Sequence, residues 1–265
     1  MARRLAIVVL LLAGSAALAK NKTPKAKAPA AAAPAPAPAA AAPAAAEPSA
    51  ADLLTKVDSI LSPPEFEGKL TFVSHKSQGD VHSYSLRLLK KDSDKFRIWF
   101  LSPPDDVGQE VLRIGNDMWS YMPNLKRALK VSTKQDFQGG DFANSDVLRV
   151  ELMKDYTPVI KESTADNWVL ELTAKNDEVT YARVLLTIRK KDGQPTQFEY
   201  FTGSGKLVRK MDLLDLKTYG KLVRPTKWVM HNMLEPKRKS EMTYDTFNMR
   251  KDLDGAVFEQ SALGR

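Results

Sequence analysis

Between residues 66 and 249, apolar and polar residues alternate through one short segment after another, each closed by Gly, Pro, Asn or Asp. That period of two marks strands joined by tight turns. Segments 66–76 and 81–91 read as a hairpin around Ser77-Gln78-Gly79-Asp80. In 96–101, Phe96, Ile98 and Phe100 alternate with Arg97, Trp99 and Leu101, and Pro103-Pro104 ends the run. Segments 108–114 and 117–122 are joined by Gly115-Asn116, a strong tight-turn signal, and 127–132 adds a short strand. Further strands are expected at 157–162, 168–175, 181–190, 196–202, 206–218, 222–234 and 239–249. These thirteen runs, read as about eleven or twelve consecutive strands with only two helices, predict a mainly β chain built on one strongly curved antiparallel sheet.

The helices are expected at 49–61 and 145–156. In the first, Leu53, Leu54, Val57, Ile60 and Leu61 share one helical face, Ser49 is the N-cap, and Pro63-Pro64 stops the helix. In the second, Val147, Leu148, Leu152 and Met153 are the apolar positions, capped by Asn144 or Ser145. Residues 256–263 are expected to add a short strand or turn that closes the sheet.

The first fifty residues follow other rules. Residues 1–19 carry Arg3 and Arg4, an apolar run from Leu5 to Leu12 and a closing Ala17-Leu18-Ala19, the layout of a secretory signal peptide. Residues 20–50 are nearly all Ala and Pro, a composition that favours an extended, disordered linker, so the folded domain is expected over 51–265. These segments also hold six of the 40 Lys and Arg and one of the 32 Asp and Glu, leaving 34 against 31, or +3, for 51–265. The basic character thus sits in the tail, which argues against nucleic-acid binding. The chain has no cysteine, which excludes disulfides, a thiol nucleophile and an N-terminal lipid anchor on cysteine. The expected location is the periplasm.

In 94–127, an aromatic strand ends near a proline (FRIWFLSP). A strand, a polar turn and an apolar-Trp-x-Tyr strand follow (VLRIGNDMWSYMP), then NLKR. With QGGDFANSDV further on, this order resembles the outer-membrane lipoprotein-sorting family, the LolA/LolB-like periplasmic lipoprotein carriers. The resemblance covers the whole of 51–265. It implies an unclosed antiparallel β-barrel with helices as a lid over an apolar concave face. It further implies lipoprotein acyl chains or free lipid as ligand, with an inner-membrane transporter and an outer-membrane acceptor as partners and the carrier acting as a monomer. No cofactor, metal or catalytic residue is implied. The well-studied carriers have an Arg-Pro pair before the aromatic strand that latches the lid. Here the region reads Leu89-Lys90-Lys91-Asp92, so that latch does not carry over.

The expected lipid-binding cavity is lined by Phe96, Ile98, Trp99, Phe100, Met118, Trp119, Tyr121, Phe137, Phe142, Trp168, Phe198, Tyr200, Trp228 and Met230. Any one of these is explained as ordinary core; as an ensemble they exceed what one sheet with two helices can cover. Gly139 and Gly140 are the expected hinge, and Val147, Leu148 and Leu152 the apolar face of the lid. Asp105, Asp106, Asp141 and Asp146 are scattered carboxylates that turns and a helix start explain, and no nucleophile elbow or zinc-protease motif occurs. The expected activity is non-catalytic acyl-chain carriage towards the outer membrane. The alternative is an accessory subunit of an inner-membrane lipid exporter that uses the curved sheet to bind protein.

Overall fold

Ser49 opens the first helix, α1 (Ala50–Leu61), through a reciprocal cap with Asp52. Its Oγ accepts the Asp52 amide at 3.1 Å while the Asp52 carboxylate accepts the Ser49 amide at 3.3 Å. Leu53, Leu54, Val57, Ile60 and Leu61 are buried along one side, as their spacing predicts. This computed structural model describes residues 47–148 and 151–265. The secretory signal expected over 1–19 and the linker up to residue 46 lie outside the described residues.

Thirteen strands follow among the described residues. They are β1 (Phe66–His75), β2 (Val81–Lys91), β3 (Lys95–Ser102), β4 (Glu110–Ile114), β5 (Asp117–Met122), β6 (Arg127–Lys130), β7 (Tyr156–Ser163), β8 (Asn167–Ala174), β9 (Arg183–Arg189), β10 (Pro195–Phe201), β11 (Leu207–Tyr219), β12 (Leu222–Asn232) and β13 (Lys239–Met249). They form one sheet in the order β6-β5-β4-β3-β2-β1-β13-β12-β11-β10-β9-β8-β7. Every pairing is antiparallel. Two meanders therefore meet where β1 pairs with β13, and the sheet begins at β6 and ends at β7 without closing. Register breaks at Lys69/Leu70 and Tyr200/Phe201 and the left-handed Asp215 in β11 bend individual strands, as bulges do.

The stretch between β6 and β7 departs from the single helix expected there. It holds a turn of 3-10 helix (Phe137–Gly139) and two one-turn helices, α2 (Asn144–Val147) and α3 (Leu152–Asp155). Tertiary partners interrupt the helix. The Arg113 guanidinium takes the Leu148 carbonyl at 2.7 Å, and the Asp58 carboxylate takes the amides of Leu152 and Met153 at 2.7 and 3.0 Å. Groups that would have bonded along one helix bond to α1 and β4 instead.

Of the strand or turn expected at the C-terminus, the structure has turns, and they do not close the sheet. Residues 255–262 form two 3-10 turns, Gly255–Phe258 and Gln260–Ala262, rather than a strand at the sheet edge. They lie over the outer face of β3 and β4, with Leu253 and Phe258 buried against Leu89 and Leu112.

Candidate functional site

Alternation along the strands puts one set of side chains on the concave face. Phe96, Ile98 and Phe100 from β3, Met118 from β5, Phe198 and Tyr200 from β10, and Trp228 and Met230 from β12 belong to one apolar cluster, each 2% exposed or less. The same cluster takes Phe72 from β1, Met211 from β11 and Met242 from β13. Its ring faces meet edge-on: Phe72 to Phe137 at 5.1 Å, Phe72 to Phe142 at 5.9 Å and Tyr84 to Phe100 at 5.9 Å. Phe137 and Phe142 come from the segment that crosses the face, together with Val147, Leu148 and Leu152. The concave face is thus filled by α1 and by this crossing segment. Trp168 lies at its margin, partly buried, with Lys190 5.2 Å from its ring.

Trp99, Trp119 and Tyr121 do not join this group. On β3, Trp99 alternates with Ile98 and Phe100; on β5, Trp119 and Tyr121 alternate with Met118, and Trp119 faces Leu112 across the ladder. Trp99 and Trp119 pack instead in the small outer cluster of Leu89, Leu112, Leu253 and Phe258. A Cβ on Gly264 would meet the Tyr121 ring at 2.3 Å, so the chain end lies directly on that tyrosine. Sequence alternation alone does not separate concave from outer face here, because β3 and β5 are apolar on both sides. The reason is the C-terminal segment, which Arg97 fastens by donating to the carbonyls of Val257 and Ala262 at 2.6 and 2.7 Å while pairing with Glu110.

The elements over the concave face are held by polar bonds at their ends. Asp58 of α1 caps α3 as described. Lys90 of β2 is fully buried and donates to the carbonyls of Ser62 and Pro63 at 3.0 and 2.7 Å, just past the C-terminus of α1. Burial pushes its pKa down to about 8, against the upward pull of Glu151 and Asp58. Arg113 of β4 is likewise buried, with its pKa lowered by burial against the pull of Asp155 and Asp94, and it holds the end of α2. At the other flank Tyr181 donates to Asp146 at 2.7 Å and accepts from Arg209 at 2.9 Å, and Arg209 also pairs with Asp136. Burial and then the Asp146 charge push the Tyr181 pKa well up, so it stays a donor. The Arg-Pro latch is absent, yet lysine and arginine side chains from the sheet do hold the covering backbone.

Gly139 and Gly140 have different roles. Gly139 has φ +62°, and its carbonyl accepts from Lys76. Gly140 has an ordinary φ but no room for a side chain, since a Cβ would come 2.6 Å from Phe72 Cζ and 3.0 Å from Ser240 Oγ. Beside it Asp141, fully buried, accepts from Ser240 Oγ at 2.9 Å and Asn232 Nδ2 at 3.0 Å, with Arg238 at 3.4 Å. The Gly-Gly-Asp-Phe turn is close-packed and tied to β12 and β13. Turn chemistry does not account for Asp141, whose burial and Ser240 partner, 99 residues away, leave no local signal in the sequence.

Clefts among the described residues flank the cover. One, of about 450 Å³, lies between β5, β6, α2 and the loop at 176–180 and is lined by polar and charged residues including Arg113, Lys130, Asp155 and Glu178. Another, of about 350 Å³, lies between the N-terminal turn of α1 and residues 190–193, with Trp168 and Leu53 in its wall.

A family model described only as uncharacterized protein-like matches residues 92–265. No curated protein matches the chain. Among solved structures, a LolA superfamily protein from Nitrosomonas europaea superposes with a TM-score of 0.74 at 27% identity, over 81% of this chain and 99% of that one. A DUF1329 family protein from Desulfovibrio piger gives 0.72 at 21% identity, over 80% and 96%. A putative outer-membrane lipoprotein-sorting protein domain from Vibrio parahaemolyticus gives 0.69 at 20% identity, over 80% and 97%.

Proposed function

We propose that this chain, which shares its fold with a LolA superfamily protein at 27% identity, is a periplasmic, non-catalytic carrier of acyl chains. It takes up the chains of a lipoprotein or a lipid on its concave face and delivers them towards the outer membrane. An inner-membrane transporter loads it and an outer-membrane acceptor unloads it. On this reading residues 1–19 direct export and 20–50 form a spacer ahead of the domain.

One observation carries the reading. The apolar concave face is covered by elements that are small and fastened by separable polar bonds, not by a second sheet. Burying a CH₂ stabilises by about 0.8 kcal/mol, so ten methylenes recover about 8 kcal/mol. Each polar fastening contributes about 0.5–1.5 kcal/mol. The covering side chains Leu53, Val57, Phe137, Phe142 and Leu148 and an entering chain compete for the same surface. Their exchange is therefore near balance, and a carrier that must also release its load needs that balance. Met118, Met211, Met230 and Met242 on the face adapt to chains of different shape.

Native mass spectrometry of protein purified from an envelope fraction tests this. Co-purifying acyl adducts, and enhanced emission of an acyl-chain fluorophore on mixing, are expected. A chain that is always empty and leaves the fluorophore unchanged overturns the carrier reading.

The accessory-subunit reading is favoured by one feature. Leu214, Leu216 and Val223 lie on the outer face of β11 and β12 by register and are 44%, 42% and 39% exposed. Retention of a membrane protein partner by the wild type but not by Leu216→Glu, with no lipid bound by either, would select it.

A further inference from the structure

Arg224 of β12 is buried on the concave face, at the end where α1 stops, and none of its surface reaches solvent. Aromatic rings surround its guanidinium: Phe247 at 4.1 Å, Tyr244 at 4.4 Å and Phe66 at 5.9 Å. Nη2 reaches the Leu61 carbonyl at 3.4 Å, while Nε and Nη1 have no hydrogen-bond partner. Among the described residues no carboxylate pairs with it. The other buried or half-buried cations of the fold are satisfied differently. Arg97 has Glu110, Arg209 has Asp136, and Lys90 has two backbone carbonyls.

A buried guanidinium whose Nε and Nη1 lack partners is costly, because its lost hydration is repaid by ring faces, one long bond to a carbonyl and the Tyr244 phenol. Burial lowers its pKa, with the phenols of Tyr244 and Tyr219 working against that. The geometry fits a missing acceptor. The planar fork of Nε and Nη matches a carboxylate or phosphate in a two-point bond. The rings around it continue as a series, Phe66 to Phe247 at 4.6 Å, Phe247 to Tyr244 at 5.9 Å and Tyr244 to Trp228 at 5.9 Å. That series leads from the guanidinium to the middle of the concave face.

We propose that Arg224 is the head-group site of this face and binds the anionic head, carboxylate or phosphate, of an acyl lipid whose chain lies along the rings towards Trp228. The proposal rests on the carrier reading and narrows it to anionic amphiphiles. In the closed state the last carbonyls of α1, the negative end of that helix, occupy the place of the head group through Leu61. Head group and helix end then compete for one cation, so loading the site releases the C-terminus of α1.

The test uses the full chain and displacement of a fluorescent acyl probe. Oleate, oleoyl lysophosphatidate and the neutral oleyl alcohol share one chain and differ in head group. At least one of the two anions is expected to bind tenfold or more tighter than the alcohol, and which one does so identifies the head. Arg224→Met is expected to abolish the difference between anion and alcohol. Should that variant fail to fold, the comparison on the wild type decides alone. Equal affinity of alcohol and both anions leaves the carrier reading standing and overturns this proposal. If no chain binds, the carrier reading falls and the proposal with it. Inorganic phosphate and acetate are expected to displace nothing; competition by either at the lipids' concentrations makes Arg224 a free-anion site and overturns the proposal.

Discussion

The carboxylate of Asp58 accepts the amide of Leu152 at 2.7 Å, so a residue in the first helix caps a helix 94 residues later in the chain. Its second oxygen takes the Met153 amide at 3.0 Å. The two elements that cover the concave face are thereby coupled. Asp58→Ala removes the cap and leaves buried amides unpaired, a loss of about 2 kcal/mol. Denaturant titration should show that loss. Hydrogen exchange should show faster exchange in 144–155 while β1 and β13 stay protected. Equal loosening across the sheet would contradict the coupling.

Gly140→Ala distinguishes a plug from a hinge. The new methyl would meet Phe72 Cζ at 2.6 Å and Ser240 Oγ at 3.0 Å, so the turn must shift at a cost of about 1–3 kcal/mol. A drop in the thermal midpoint is expected. An unchanged midpoint with altered opening kinetics would support the hinge.

Asp141→Asn keeps the shape but turns an acceptor towards donors. Asn232 Nδ2 and Arg238 both face Oδ1 while Ser240 Oγ donates to Oδ2, so an amide that keeps its oxygen towards the first two turns an NH₂ donor on the Ser240 hydroxyl and removes the charge that Arg238 faces. A loss of about 2–3 kcal/mol is expected, since the group is buried and charge-assisted. The double variant Asp141→Asn with Asn232→Asp tests the assignment by returning an acceptor to the site, and partial recovery is expected.

Lys90 gives the fold a pH dependence of definite sign. Its pKa falls from 10.5 to about 8 on burial. Between those values the unfolded chain holds a proton that the folded chain lacks, so stability rises with pH across that window. Below about pH 8 the burial cost of the charge is felt in full. Denaturation of wild type and Lys90→Met at pH 7.5 and 10 should show the wild type gaining relative to the variant as pH rises. No difference in slope would place the lysine in water.

The sequence made the sheet legible because turn residues and period-two alternation are local. The hairpin at Gly115-Asn116 and the alternation of Phe96, Ile98 and Phe100 appear where expected. The sidedness of Trp99 and Trp119 was not legible, because both faces of β3 and β5 are apolar and only the folded chain places Leu253 and Phe258 over one of them. A substitution meant to block the concave face therefore belongs at Met118, not at Trp119. The broken helix at 144–155 was hidden for a related reason. Its apolar spacing is helical, but Arg113 and Asp58 take backbone groups from elements far away in sequence. Arg224 carries no sequence signal, since one arginine in a strand reads as surface until the register turns it inward.

The placement of the acyl chain is the claim on which the rest depends. The chain has four tryptophans, of which Trp228 is on the concave face and Trp99 and Trp119 on the outer one. Single-tryptophan proteins that keep either Trp228 or Trp99, the others replaced by Phe, can be titrated with a fatty acid brominated in mid-chain. Bromine quenches indole only near contact. Quenching of Trp228 with Trp99 unaffected is the predicted result. Quenching of Trp99 alone, or of neither at concentrations where the ligand binds, would contradict carriage on the concave face.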